Sequence, residues 1–384
     1  MTDDQRAPAP LPPALMPIAD DLNRLSDIDR RRRLIPIAGR DFASNDYLGL
    51  AGSPDLRCAV ENAVARGVPV GSGGSRLLRG NHAEHEALEA EAAAFFGSES
   101  VLWFGSGFSA NAALLATLPQ RGDLIVHDTL IHASAHDGMR MARAPSVAAG
   151  HNDPEAIEDA IRDWRRQGGT GSPWIAVESL YSMDGDRAPL SALAEVAARH
   201  DAMLLIDEAH ATGVFGPDGR GLAAALEGQP NVVTLRTCGK ALGSEGALVC
   251  GPAVVTDFLV NRARGFIFST APSPVMAAAV RAGLRILKQE PERRVRLAEL
   301  TALAAERLGP LGATVSGSQI LPLIVGEDGR AMALAAALQA RGFDVRGIRP
   351  PTVPAGTARL RISLTLNIDA ADIAALGDAL GELA

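Results

Sequence analysis

The stretch VLWFGSGFSANAALLATL, Val101–Leu118, decides the reading of the fold. Four apolar residues run without a break, as in a strand buried on both faces, and a glycine- and serine-rich turn then gives way to alanine and leucine at helical density. The alternation recurs. LIVH (124–127) precedes a helix from His132, WIAVE (174–178) precedes LSALAEVAARH (190–200), and MLLID (203–207) follows. Strands alternating with helices imply βαβ crossovers, so residues 45–289 are expected to form a large α/β domain on a mostly parallel sheet. From Glu290 the pattern changes. The amphipathic helix RRVRLAELTALAAERLG (293–309), strand-like ILPLIVG (320–326), helical MALAAALQARG (332–342), extended DVRGI and ARLRISL, and the helix DIAALGDALGEL (372–383) describe a small α+β domain over 290–384. Residues 1–44 are expected to be an arm: a disordered proline-rich start, then helical spacing through DDLNRLSDIDRRRRL (20–34).

Composition narrows the function. The 384 residues are 47% hydrophobic with a net charge of -8, which supports a buried α/β core and leaves no general basic field for nucleic acid. Cys58, Cys238 and Cys250 are far apart and form neither a disulfide framework nor a zinc pattern. No apolar run approaches the roughly 20 residues needed to cross a bilayer. The first nineteen residues, acidic and broken by prolines, do not read as an export signal, so the cytoplasm is the expected compartment and no membrane partner is expected.

Lysine is nearly absent. The chain has only Lys240 and Lys288. Lys288 ends an amphipathic stretch and reads as a solvated helix residue. Lys240 sits in TLRTCGKALGSEGALV, between two β-like runs and among Gly239, Gly243 and Gly246, where the backbone can turn tightly around a ligand. An amine there can form an imine with an aldehyde, which arginine cannot. MLLIDEAH carries Asp207 at the carboxyl end of a strand and His210 three residues later, the edge where open α/β sheets bind ligands. For pyridoxal phosphate, a carboxylate at that edge would keep the pyridine nitrogen protonated. DEAH also occurs in ATPases, but the nearest phosphate-loop candidate, GSGGSR at 71–76, lacks the lysine that reading needs.

Ser106, Gly107 and Phe108 open a helix after a strand, a position that favours phosphate. His132, at another helix start, could lie flat on an aromatic ring. His82 and His85 are spaced i, i+3 without a third ligand, so they read as surface residues and no metal is expected. Arg359 and Arg361 share one face of ARLRISL, and Arg349 precedes Pro350 and Pro351, so these arginines are candidates to grip carboxylates.

Taken together, SNDYLGL, GSGGSR, SGFSAN, HAS at His132, ESLYSMDGD, DEAHATGVFG, TCGKALG, FST and IRPPTVPAGTARLR, in this order, make the chain resemble the α-oxoamine synthases. The resemblance runs from about Asn45 to Leu366. It implies a fold type I pyridoxal-phosphate transferase, similar to aspartate aminotransferase, that acts as a homodimer with shared active sites. It also implies the roles of individual residues. Lys240 would carry the cofactor as a Schiff base and serve as general base, Asp207 would pair with the pyridinium nitrogen, and His132 would stack on the ring. His210 and Ser182 would lie beside the ring's 3-oxygen, with Gly107, Phe108 and Thr237 near the phosphate. Ser269 and Thr270 would reach the phosphate of the neighbouring subunit. Asn45 and Arg361 would hold the amino acid's carboxylate, while Arg349, Thr352 and an arm arginine, nominated as Arg31, would meet the acyl substrate. Within the family the resemblance is strongest to members that condense L-alanine with a pimeloyl thioester, whose distal carboxylate Arg349 could pair with. Sister synthases using glycine or serine with another acyl-CoA are the alternative, and a catalytically dead partner subunit is a remote one.

Overall fold

The structure is a computed structural model that describes residues 11–383. The first ten residues of the proline-rich start lie outside the described residues.

Helix α1 (Met16–Asp27) buries none of its side chains. The expected continuation through the arginine run does not form. Asp29 adopts a φ of 55°, and the amides of Arg30 and Arg31 both turn back to the carbonyl of Leu25, at 2.7 and 2.9 Å. The physical reason is that α1 buries no side chain and so gains no packing by lengthening, while Arg30 and Arg33 would fall at i, i+3 on a continued helix and repel. The run instead passes over the C-terminal part of the chain, where Arg30 pairs with Asp328 at 2.7 Å. Strand β1 (Arg40–Asp41) then pairs in parallel with β10 (Phe343–Asp344), so the end of the expected arm is knitted into the C-terminal fold.

Helices α2 (Pro54–Ala65) and α3 (Ala83–Phe96) lead into the main sheet. The reading of His82 and His85 as surface residues is corrected here. His82 caps α3, while His85 is fully buried, with its Nε2 2.9 Å from the carbonyl of Pro272 and its ring 5.4 Å from that of Trp103. A histidine in a helix's first turn can answer unpaired amides and turn its ring inward, which spacing alone does not reveal.

Seven strands follow: β2 (Ser100–Phe104), β3 (Leu124–Asp128), β4 (Ser146–Ala149), β5 (Pro173–Glu178), β6 (Met203–Asp207), β7 (Val232–Thr237) and β8 (Ala247–Gly251), in the spatial order β2-β8-β7-β6-β5-β3-β4. Strands β3 to β7 are mutually parallel, and β8 runs antiparallel to both its neighbours. The crossovers carry α4 (Gly107–Thr117), α5 (Ala133–Met141), α6 (Pro154–Arg166) and α7 (Leu190–Arg199), which cover the sheet and bury its strands on both faces. Local chemistry sets the helix starts. Ser106 accepts from the amide of Ser109, Asp153 from that of Ala156, and His132 from that of Ser134.

After β8 come α8 (Ala253–Arg262), the short α9 (Arg264–Ile267), α10 (Pro274–Gln289) and α11 (Glu292–Leu308). A second, three-stranded antiparallel sheet orders β11 (Arg346–Ile348), β12 (Ala358–Ser363) and β9 (Ile320–Gly326), backed by α12 (Asp328–Ala340) and α13 (Ala370–Leu383). One apolar cluster runs from Phe42, Tyr47 and Leu48 through α10 to β12, welding the two sheets together. No helix among the described residues is long and apolar enough to cross a membrane.

Candidate active site

The carboxyl ends of β5, β6 and β7 open onto a cavity of about 390 Å³. Lys240, Asp207, His132 and His210 line it together with Gly107, Phe108, Thr237 and Asn45, although they span almost two hundred residues of sequence. A larger cavity of about 850 Å³ lies on the outer side of α4, but its titratable lining is three arginines, Arg143, Arg262 and Arg264. It has neither amine nor carboxylate nor imidazole, so the chemistry belongs to the smaller one.

A single hydrogen-bond chain fixes the lysine. Lys240 Nζ lies 2.7 Å from His210 Nε2, His210 Nδ1 lies 2.6 Å from the Tyr47 hydroxyl, and that hydroxyl donates to Asn45 Oδ1 at 3.0 Å. Because an ammonium can only donate, Nε2 must be the bare nitrogen of His210 and Nδ1 the protonated one, which then donates to Tyr47. Burial, reinforced by the charges of Lys240 and Arg361, holds His210 well below the ordinary imidazole range, in agreement with that neutral tautomer. Burial likewise lowers the amine of Lys240 to about 8, against the opposing pull of Asp207 and Glu178.

Two carboxylates sit side by side at the strand ends, since Glu178 and Asp207 are register partners of β5 and β6. Asp207 is well served: Asn111 Nδ2 donates to one oxygen at 2.6 Å and the amide of Ala209 to the other at 2.9 Å. Glu178 accepts only the amide of Ser182 at 3.2 Å, and its Oε1 is buried without a partner. Burial, with the nearby charge of Asp207, pushes Glu178 well above the usual carboxylate range. His132 is shifted below its ordinary value by burial, partly offset by Asp207.

The other predicted residues lie around this centre. Ser182 and Thr352 line an adjoining cavity of about 420 Å³ that His132 shares. Ser269 and Thr270, both exposed, line a third of about 250 Å³ that meets the first at Ser106. Arg361 is buried on β12, donating to the carbonyl of Ser182 at 2.6 Å, to Ser363 Oγ at 2.6 Å and to Tyr47 at 3.4 Å. Its strand neighbour Arg359 is committed to Asp184 at 2.5 Å. Arg349 is also buried, yet it donates only to Met332 Sδ and to the carbonyl of Arg31, and its Nε has no partner. Arg31 thus contributes its backbone, while the arm guanidinium that reaches Thr352, at 3.3 Å, is that of Arg32. Lys288 is exposed, as its helical setting predicts.

Sequence reasoning missed Asn111, Glu178 and Tyr47. Each left a faint signal: Asn111 is a polar residue inside the apolar run of α4, Glu178 ends an apolar strand as Asp207 does, and Tyr47 lies within SNDYLGL.

The cavity fits pyridoxal phosphate. It offers one amine for an aldehyde, one carboxylate for a ring nitrogen, and the opening turn of α4, whose amides lack partners within the helix, for a phosphate. Glycine is required at that turn, because a Cβ on Gly107 would stand 2.5 Å from Thr237 Cγ2. A parallel-sheet fold with this lysine-centred cavity defines a pyridoxal-phosphate enzyme of fold type I.

Comparison with known proteins narrows the class. The family model for class I and II aminotransferases matches residues 39–380. The chain is 45% identical over 346 residues to an 8-amino-7-oxononanoate synthase from Anaeromyxobacter dehalogenans, covering 88% of this chain and 86% of that one. It is 43% identical to the Chromobacterium violaceum enzyme of the same name over 92% of this chain and 96% of that one. Among solved structures, a serine palmitoyltransferase variant from S. paucimobilis with a bound PLP–myriocin adduct superposes with a TM-score of 0.87 at 26% identity, covering 96% and 97% of the two chains. An 8-amino-7-oxononanoate synthase from Francisella tularensis superposes with a TM-score of 0.76 at 27% identity, covering 90% and 97%. The chain therefore belongs to the class I and II aminotransferase family, in its α-oxoamine synthase branch with the 8-amino-7-oxononanoate synthases. It is a pyridoxal-phosphate-dependent acyltransferase.

Proposed function

We propose that the chain condenses L-alanine with a pimeloyl thioester, on CoA or a carrier protein, giving 8-amino-7-oxononanoate, carbon dioxide and the free thiol for biotin synthesis. The observation that carries this reading is the half-buried Lys240 amine, hydrogen-bonded to His210 and held over the same cavity as Asp207. Bound pyridoxal phosphate supplies an aldehyde that captures amines and a ring that withdraws electrons from the substrate's Cα.

The protein's part is to hold atoms and move protons. Lys240 Nζ would hold the cofactor through its aldehyde, and the same amine is placed to take the proton from the substrate's Cα. A base with a pKa near 8 suits that transfer near neutral pH. Neutral His210 accepts a hydrogen bond from the amine without adding a second charge beside it, and Asn45 anchors the far end of the chain through Tyr47. The Asp207 carboxylate would receive the ring N–H, His132 would cover the ring face, Ser182 would lie by the ring's oxygen, and Gly107, Phe108 and Thr237 would receive the phosphate.

Arg361, linked through Tyr47 to Asn45 of the cavity lining, takes the α-carboxylate together with Asn45. Arg349, Thr352 and the arginine run of the arm receive the acyl group, and the incomplete set of partners around Arg349 suits a distal carboxylate. In a homodimer, the exposed Ser269 and Thr270 of each chain would meet the phosphate bound by its partner. The cytoplasm is the proposed compartment.

The test is turnover of L-alanine with pimeloyl-CoA, read by product mass, beside glycine, L-serine and octanoyl-CoA. Formation of 8-amino-7-oxononanoate is the expected result. Turnover confined to glycine or serine would move the chain to a sister reaction.

A further inference from the structure

A second polar cluster lies beyond Glu178, at the outer end of the sheet. His151 and Asn152 follow the edge strand β4 and bridge the carboxyl end of β3 to the loop after β5. His151 Nδ1 lies 3.0 Å from Asp128 Oδ1, and its Nε2 lies 2.8 Å from Asp186 Oδ2. Asn152 repeats the bridge, with its amide donating to Asp128 Oδ2 at 2.7 Å and its Nδ2 to Asp186 Oδ2 at 2.7 Å. Asn152 takes a φ of 52° to do so, a conformation asparagine tolerates better than most residues. Tyr181 closes the cluster, its ring edge-on to His151 at 4.5 Å between centroids, and burial keeps its phenol protonated. The titratable groups facing His151 are therefore Asp128, Asp186 and Tyr181.

An imidazole with a carboxylate at each nitrogen is satisfied only when both nitrogens carry protons. Burial opposes that charge, but the hydrogen bonds to Asp128 and Asp186 outweigh it and raise His151 above its ordinary range. The loop held in this way also meets the arginines of β12. The carbonyl of Ser182 accepts from Arg361 Nε at 2.6 Å, the carbonyl of Met183 from Arg359 Nη1 at 3.3 Å, and Asp184 pairs with Arg359 at 2.5 Å.

We propose that His151 is a positioning residue: by bridging Asp128 and Asp186 it fixes the loop from Tyr181 to Arg187, so that the Ser182 carbonyl holds Arg361 in place for the substrate's carboxylate. The loop is clamped from one side by the sheet edge and from the other by β12. The coupling to substrate rests on Arg361 being the carboxylate site.

Holoenzyme carrying His151→Gln tests it, because glutamine keeps one donor but cannot donate to both carboxylates. Asp186→Asn, with His151 in place, is the second variant. Two quantities are measured: hydrogen–deuterium exchange of the peptide spanning 179–188, and the dissociation constant of L-alanine from the change in cofactor absorbance. Exchange in that peptide should quicken in both variants, and alanine should bind about ten-fold more weakly near pH 7, with retention of cofactor unchanged. The gap between wild type and His151→Gln should narrow as the pH rises beyond the ordinary imidazole range, where the wild-type histidine loses its second proton. Unchanged exchange overturns the clamp. Quicker exchange with unchanged alanine affinity, or a gap independent of pH, overturns its coupling to Arg361. Absence of any alanine response in the wild type would instead count against the proposed function, and the exchange data would still decide whether the clamp exists.

Discussion

The seven-stranded sheet presents its polar groups at the ends of strands, whereas the three-stranded sheet presents them along a strand. In the large sheet, Glu178, Asp207 and Thr237 end adjacent strands and share one cavity with residues from the loops that follow. In the small sheet, Arg359 and Arg361 alternate along β12 and face the loop from Tyr181 to Arg187. The difference has a simple origin. A parallel sheet covered on both faces can expose backbone and polar side chains only at its edge, so groups gathered there come from many parts of the chain. A short antiparallel strand at a domain contact can aim every second side chain at a fixed target. Cofactor chemistry accordingly belongs to the first region and carboxylate recognition to the second.

The sharpest way to break this division is to remove the amine. Lys240→Ala should lose the covalent link to the cofactor and all turnover, while Lys288→Ala remains active. Borohydride reduction followed by peptide mapping checks both, and a labelled Lys288 peptide would refute the assignment. Next in size, Asp207→Asn should retain cofactor yet slow solvent exchange of the alanine Cα proton by about a hundred- to a thousand-fold, as expected for loss of an electrostatic stabiliser. Unchanged exchange would remove Asp207 from that role.

The small sheet should fail differently. Arg361→Ala should weaken alanine binding about ten- to a hundred-fold whichever thioester is offered, since a charge-assisted pair is lost. Arg349→Ala should spare alanine and reduce the preference for pimeloyl-CoA over octanoyl-CoA by about ten-fold. If the two variants show the same defect, the separation of carboxylate sites is wrong.

Two smaller effects probe the electrostatics of the large sheet. In cofactor-free enzyme, only the neutral form of Lys240 attacks an aldehyde. Since burial places that amine at about 8, recombination with pyridoxal phosphate should quicken by about ten-fold per pH unit below that value and level off above it. Stopped-flow absorbance across the pH range checks the sign. Burial and the neighbouring charge of Asp207 push Glu178 upward, toward its neutral form, so Glu178→Gln should change alanine affinity by less than about three-fold. A large loss in that variant would mean that the carboxylate is charged when the enzyme works.

Much of this was legible before any coordinates. Apolar runs marked β2, β3, β5 and β6, and helical spacing marked the helices after the first three, because burial on both faces leaves a strand no polar positions to confuse the reading. Lys240 stood out because the chain has only one other lysine, and Asp207 because it ends a buried strand. Contacts between distant segments were not legible. His85 turns inward to a carbonyl supplied by Pro272, 187 residues away, and His151 meets Asp186 across 35 residues. The arm arginine that reaches Thr352 is set by how an irregular segment lies on the C-terminal part of the chain, and no local preference orders four identical neighbours. Periodicity and composition thus determined the elements and the reactive residues, since those depend on each segment's own chemistry. Tertiary structure alone decided which hydrogen bonds each buried polar group makes, and so which nitrogen of His210 carries a proton, how far the Lys240 amine is lowered, and which of two adjacent carboxylates is left without a full set of partners.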